Sequence, residues 1–129
     1  MILNSIKNLD KNIFPVVIFG SGPAGLSLAL ELEKKNINSL IIEAGEEYFS
    51  EKSQSFYKIN IDGTPLKDLS NSRLRQFGGT SATWGGWCKP LSTLDLIKFG
   101  FDPREIEKYQ NQTCKILEIE NSFKESVIN

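Results

Sequence analysis

The chain contains no histidine. It therefore offers no imidazole base, no Ser-His-Asp or Cys-His nucleophile pair and no histidine ligand for a metal. Cysteine is scarce as well. Cys88 and Cys114 stand far apart and no Cys-x-x-Cys occurs, which removes the usual sequence support for structural zinc and for dithiol redox chemistry. Both thiols are expected to be buried and free. A surplus of one charge is also missing. Fifteen Lys and Arg against 16 Asp and Glu leave a net charge of −1, without the basic excess that a nucleic-acid surface needs. No apolar run reaches the ~18 residues of a membrane span. The opening stretch, MILNSIKNLDKNIF, has neither the continuous apolar core nor the small-residue cleavage site of a secretory signal. The expectation is a soluble chain in a reducing, cytoplasmic setting, with no nucleic-acid partner and no membrane span. At 129 residues there is room for one compact domain, and 40% apolar with 24% charged residues suffices to pack a core.

What is present is ordered along the chain. Ile2, Leu3, Ile6, Leu9 and Ile13 recur at helix-like spacing, so residues 1–14 read as an extension, helical or strand-like, that packs on the first sheet unit. Pro15 ends any helix. Val16, Val17, Ile18 and Phe19 follow as a short β-branched apolar run, as a strand buried on both faces requires. Glycines begin at once after it. Pro23 suits a first helical position, where its missing N–H costs nothing. Leu26, Leu28, Ala29, Leu30 and Leu32 then mark a helix of about 12 residues with an apolar face. Asn36 and Asn38 punctuate, and Ser39 to Ile42 form a second buried strand that ends at Glu43. Residues 15–43 thus spell strand, glycine loop, helix, strand, the βαβ unit of α/β folds.

Residues 46–72 are polar with scattered aromatics and a turn at Asp62-Gly63, and are expected to be loop and short irregular pieces. Asp102 and Pro103 open a helix of roughly 15 residues as N-cap and first-turn residue, with Ile106, Tyr109, Cys114 and Leu117 on its buried face. Residues 121–129 read as a frayed end. The domain layout expected is an extension over 1–14, a partial nucleotide-binding domain over 15–120 and the frayed terminus.

The first glycine loop is Gly20-Ser21-Gly22-Pro23-Ala24-Gly25. Gly20 permits a tight turn off the strand, Gly22 lets backbone approach a pyrophosphate, and Gly25 lets the helix lie close to the sheet. The helix N-terminus offers unpaired N–H groups and a positive dipole end to phosphates. A carboxylate at Glu43, 18 residues after Gly25, is placed to accept from the 2′- and 3′-hydroxyls of an adenosine ribose and to repel a 2′-phosphate, which disfavours NADP. A lone glycine motif is no more than a turn between strand and helix. Here the strand before, the helix after and the acid beyond agree on a dinucleotide, whether FAD or NAD.

A second cluster, Gly78-Gly79-Thr80-Ser81-Ala82-Thr83-Trp84-Gly85-Gly86, reaches positive φ easily and can present successive N–H groups to an anion. Thr80, Ser81 and Thr83 add hydroxyls, and Trp84 and Trp87 add flat apolar faces. Such a loop suits the remainder of a long flavin cofactor better than it suits NAD. A surface turn for the glycines and plain core packing for the tryptophans are the alternatives. Arg73 and Arg75 share a face in an extended segment; either is able to offset pyrophosphate charge, or both are simply solvated.

The stretches VVIFGSGPAGLSLALELEKK, LIIEAG and RLRQFGGTSATWGG resemble the glucose-methanol-choline (GMC) oxidoreductases, and EIEKYQNQTCKILEIE is similar to the helix that follows there; the likeness covers residues 15–120. The resemblance implies a Rossmann-like, FAD-binding α/β fold, here incomplete. It implies FAD held by Gly20, Ser21, Gly22, Pro23, Ala24, Gly25, Glu43 and Ala44, by Arg75, and by Gly78, Gly79, Thr80, Ser81, Trp84, Gly85 and Gly86. Some relatives bond FAD to a histidine in the second loop; Thr83 occupies that place, which implies a noncovalent cofactor. The implied reaction is oxidation of an alcohol or sugar hydroxyl. The substrate domain and catalytic histidine of such enzymes lie far downstream. The chain is accordingly expected to be an N-terminal part, inactive by itself and possibly completed by another chain. A nicotinamide-dependent fragment and a non-catalytic remnant or subunit are the rival expectations.

Overall fold

The computed structural model describes residues 2, 3, 5, 7, 9–60 and 69–120. The chain divides into two compact units, Met1–Trp84 and Gly85–Asn129, so the domain expected over 15–120 extends into both. The expected Asp62-Gly63 turn, the side chain of Ile6 and the expected frayed end at 121–129 lie outside the described residues.

The first unit is built on strand β1 (Val16–Phe19), helix α1 (Pro23–Lys34) and strand β2 (Ser39–Ile42). The strands are parallel, with Val16 opposite Ser39 and Phe19 opposite Ile42. This is a mixed α/β arrangement, and Gly20 N–H extends the ladder by donating to Ile42 C=O at 2.8 Å. Helix α1 starts where Pro23 allows and ends where Asn36 takes a φ of 56°. There the Ile37 N–H reaches the Leu32 carbonyl and the Asn36 N–H the Glu33 carbonyl, which satisfies the last turn.

Only one face of this sheet is covered, which corrects the expectation of strands buried on both. Ile18 is buried beneath α1, whereas its alternating neighbours Val17 and Phe19 are 46% and 81% exposed. The crossover helix α1 covers one face of the two-stranded sheet; on the other, Val17 and Phe19 lie open while their β2 partners Leu40 and Ile42 are half-buried. Helix α1 is likewise apolar beyond the face it buries: Leu26, Ala29 and Leu32 are half-buried and Leu28 and Leu30 exposed. The N-terminal extension departs from expectation too. Its described residues form a single 3-10 turn, Lys11–Ile13, and Ile2, Leu3 and Ile13 are exposed instead of packed on the sheet.

Among the described residues of 46–72 are the short helices α2 (Glu51–Gln54) and α3 (Leu69–Ser72) and a 3-10 turn at Ser55–Tyr57. Ser50 caps α2 by accepting from the Ser53 N–H. The second unit holds α4 (Thr93–Lys98), which the sequence reading missed, and α5 (Pro103–Ile116). Asp102 caps α5, as expected, by accepting from the Arg104 N–H at 2.9 Å. Among the described residues of this unit Leu96 and Cys114 are buried, while Ile106 and Tyr109, expected on the buried face of α5, are exposed. Cys88 is exposed, a correction to its expected burial. Among the described residues no helix is long and apolar enough to cross a membrane.

An uncovered apolar sheet face beside an unpaired strand edge drives association. Phe19→Thr is expected to suppress concentration-dependent self-association while changing folding stability by no more than about 0.5 kcal/mol, the range for exposed positions. Light scattering across a concentration series, paired with chemical denaturation, checks both halves.

Candidate functional site

Three stretches separated in sequence meet at the C-terminal end of the sheet: the loop 20–25, the strand end 43–46 and the segment 75–81. Each comes there for a local reason. Gly20 turns off β1 with φ +95°, a conformation that L side chains rarely adopt. Gly25, in the first turn of α1, sits so close to the Gly20 carbonyl that a Cβ would collide with it and would also press on the Ile18 side chain. Gly45 has no room for a Cβ either, because the Arg75–Gln76 backbone crosses directly over it. That crossing is held by a parallel bridge between Glu46 and Gln76 and by the Phe77 N–H donating to Glu46 C=O at 2.8 Å.

At the junction lies Ser21, with no solvent exposure. Its N–H and its hydroxyl both donate to Glu43 Oε2, at 2.8 and 2.7 Å. The same hydroxyl oxygen accepts the Gly78 N–H at 2.9 Å. Glu43 Oε1 accepts from the Gly45 N–H at 2.7 Å. Burial alone would push the Glu43 carboxyl upward. The N–H groups of Gly45 and Ser21, the Ser21 hydroxyl and the Ala44 N–H together outweigh it and hold the carboxyl below its ordinary value. Glu43 is therefore an ionised acceptor at neutral pH.

The backbone above this junction is bare. A Cβ at Gly20, Gly22 or Gly79 would meet nothing within 4 Å. Helix α1 begins at the N-cap Gly22 with no side-chain cap, so its first-turn N–H groups at Ala24 and Gly25 are open to a ligand while Pro23 has none to offer. Gly78 and Gly79 follow with φ of +80° and +62°, leading into a 3-10 turn over Gly79–Thr83. The arrangement joins an uncapped helix N-terminus, two half-buried glycine turns and one carboxylate, which together suit a ligand carrying phosphate and hydroxyl groups.

The remaining expected residues fall in several places. The hydroxyls of the second loop are turned on its own backbone: Ser81 donates to Gly78 C=O at 2.6 Å, Thr83 to Thr80 C=O at 3.4 Å, and Thr80 accepts from the Leu74 N–H at 3.1 Å. Ala44 is exposed beside Glu43, and Trp84 is part-exposed at the end of the loop. Gly85 and Gly86 belong to the second unit. The Arg75 guanidinium donates to Ser53 Oγ at 2.9 Å and lies over the Phe56 ring, 4.7 Å from its centroid.

Sequence reasoning missed the clamp that positions Arg75. Gln54 is buried, donates to the carbonyls of Ser70 and Arg73 at 2.7 and 2.6 Å, and accepts from the Arg75 N–H at 3.0 Å. Buried Ser53 adds a bond to the Arg75 carbonyl at 3.0 Å. A serine and a glutamine in a polar stretch carry no pattern that announces this. Among the described residues no group of three or more His, Cys, Asp or Glu is placed to hold a metal ion. Compared with models of protein families, with curated proteins and with solved structures, the chain matches none.

The Glu43 bonds set a pH dependence. Its pKa in the folded chain is depressed, so its stabilising contribution is fully present above the unfolded value, near 4.5, and is lost as pH falls through the lower folded value. Asp95, bonded to the Ser92 hydroxyl, and Asp102, bonded to Arg104, are depressed as well and load the same acid limb. The difference between wild type and Glu43→Gln isolates the Glu43 share. The variant is expected to show a flatter loss of stability below pH 4.5 in denaturation curves taken at stepped pH.

Proposed function

We propose that this chain is the FAD-binding N-terminal part of a flavin oxidoreductase of the glucose-methanol-choline kind, with a Rossmann-like fold that it carries incompletely. The observation that supports this most directly is the convergence on Ser21 of the first glycine loop, the acid after β2 and the second glycine loop. A glycine turn that merely linked strand to helix would have no use for a second glycine segment bonded to it. A Cβ at Gly20, Gly22 or Gly79 would meet no atom within 4 Å, which leaves the backbone there open to a ligand. The residues present fit the group.

In this reading the α1 N-terminus, with Gly22, Ala24 and Gly25, binds the diphosphate through backbone N–H groups, and Gly78 and Gly79 flank it from the second loop. Glu43 Oε2 already has two donors and Oε1 has one, and the Ala44 N–H draws on the same carboxylate. A carboxylate presents about four acceptor positions, so Glu43 has room for no more than one adenosine ribose hydroxyl. This narrows the expectation that both ribose hydroxyls are held by Glu43. The ionised carboxylate also repels a 2′-phosphate. Thr83, where some relatives carry a histidine, leaves the cofactor noncovalent. When bound, FAD supplies the hydride acceptor for oxidation of an alcohol or sugar hydroxyl. The chain has no histidine to take the hydroxyl proton, so the base and the substrate pocket come from other residues, in a longer protein or in a complementing chain. The compartment proposed is the cytoplasm.

Titration of the apo-chain with FAD, followed by flavin fluorescence, with NAD and NADP in parallel, tests the reading. FAD is expected to bind and the nicotinamide nucleotides not to. Glu43→Gln is expected to weaken FAD by about 1–3 kcal/mol, the scale of hydrogen bonds to a charged group. Tight NAD binding with no FAD binding would overturn the proposal. A second expectation concerns turnover. Abstraction of hydride from an alcohol carbon requires a base with a pKa near the working pH and an oriented substrate, and orientation alone contributes about 7–11 kcal/mol. The FAD-loaded chain is therefore expected to show no bleaching of its flavin by alcohols or sugars under anaerobic conditions. Bleaching faster than that of free FAD would show that the chain carries its own base.

A further inference from the structure

We propose that Ser21 is a positioning residue that couples the two glycine loops, so that the second loop is held ready for the cofactor by a side chain of the first. The argument is one of hydrogen-bond direction. An ionised carboxylate only accepts, so the Ser21 hydroxyl must give its single proton to Glu43 Oε2, 2.7 Å away. The hydroxyl oxygen is then left as an acceptor, and the group that faces it, the Gly78 N–H at 2.9 Å, only donates. The relay runs one way, from Gly78 through Ser21 to Glu43, and has no alternative polarity.

Place and packing agree with this role. Ser21 has no solvent exposure, so water does not replace its hydroxyl if that is removed. Gly78 is the N-cap of the 3-10 turn Gly79–Thr83 and stands at φ +80°, so a bond at its N–H fixes how that turn sets off. From its other side the segment is held by the bonds of Gln54 and Ser53 to residues 70–75. Those bonds set the path of the chain into the loop, and the Ser21 bond sets its seat against the first glycine loop.

The inference rests on the FAD reading for its consequence but not for its geometry, and two measurements on the full chain separate them. In hydrogen-exchange mass spectrometry of the ligand-free chain, Ser21→Ala is expected to speed exchange about fivefold in peptides across 76–83, the effect of one lost hydrogen bond. Peptides across 16–19 and 39–42 should remain protected. Ser21→Thr, which keeps the hydroxyl, is expected to recover the protection at 76–83. In FAD titrations Ser21→Ala is expected to bind about tenfold more weakly, with a changed visible circular dichroism of the bound flavin. Unchanged exchange at 76–83 in Ser21→Ala overturns the coupling, and so does uniform loss of protection that includes both strands. Altered exchange at 76–83 in a chain whose wild type binds no FAD upholds the coupling and overturns the FAD reading instead.

Discussion

A carboxylate drawn into a protein must find donors, and most of the first unit is arranged around the donors that Glu43 finds. Burial works against its charge, and the N–H groups of Ser21 and Gly45 with the Ser21 hydroxyl reverse the balance. Each donor exacts a local geometry. The Ser21 N–H is in reach only because Gly20 turns at positive φ. The Gly45 N–H is in reach while the next backbone passes over Gly45, which leaves no space for a side chain there. Once Ser21 has given its proton to the acid, its oxygen collects Gly78 and with it the second loop.

The consequence is a unit whose described buried residues are more polar than apolar. Among the described residues Ser21, Ser53 and Gln54 are buried there, with Ile18 as the hydrophobic one. Every buried side-chain nitrogen and oxygen among the described residues has a partner. A satisfied network of this kind specifies one arrangement of loops, since any slip leaves groups unpaired. It stabilises only modestly, because each bond nets roughly 1 kcal/mol against water. Apolar burial ordinarily stabilises a fold more than such bonds do, and the apolar side chains for it are present, but Val17, Phe19, Leu28 and Leu30 lie open. The first unit is thus well specified at its site and poorly covered elsewhere.

This division decides what was legible in the sequence. The strand, glycine loop, helix and second strand were readable, with Pro23 and Asp102 at the expected helix starts, because their signals are local: β-branched runs, a proline at a first turn, a cap. The position of Glu43 was readable for the same reason. Burial was not, since four apolar residues in a row do not say how many faces will be covered. Gln54 was invisible because its partners lie 16 to 21 residues further on and are backbone groups, which every residue has. The partners of Arg75 were not readable, because a guanidinium serves a hydroxyl and an aromatic ring as readily as a phosphate, and only the fold brings Ser53 and Phe56 to it.

The position of Arg75 changes the electrostatics of the proposed site. The groups that meet at Ser21 are backbone N–H donors and one anion, with no cationic side chain bonded among them. A diphosphate there would be held chiefly by the α1 N-terminus, since the N–H groups of Gly20, Gly78 and Gly79 already donate to Ile42 C=O, the Ser21 hydroxyl and Gln76 C=O. A helix end contributes about 0.3–1 kcal/mol when exposed, and up to about 2 when partly buried. Glu43 works against phosphate charge at longer range while favouring a ribose hydroxyl. Such a site discriminates by hydrogen-bond pattern more than by net charge: it accepts a phosphate where N–H groups face it and refuses one where the carboxylate does. Its affinity must then come from the flat apolar parts of the ligand, and the surfaces able to take those parts are the ones this chain leaves exposed or does not itself supply.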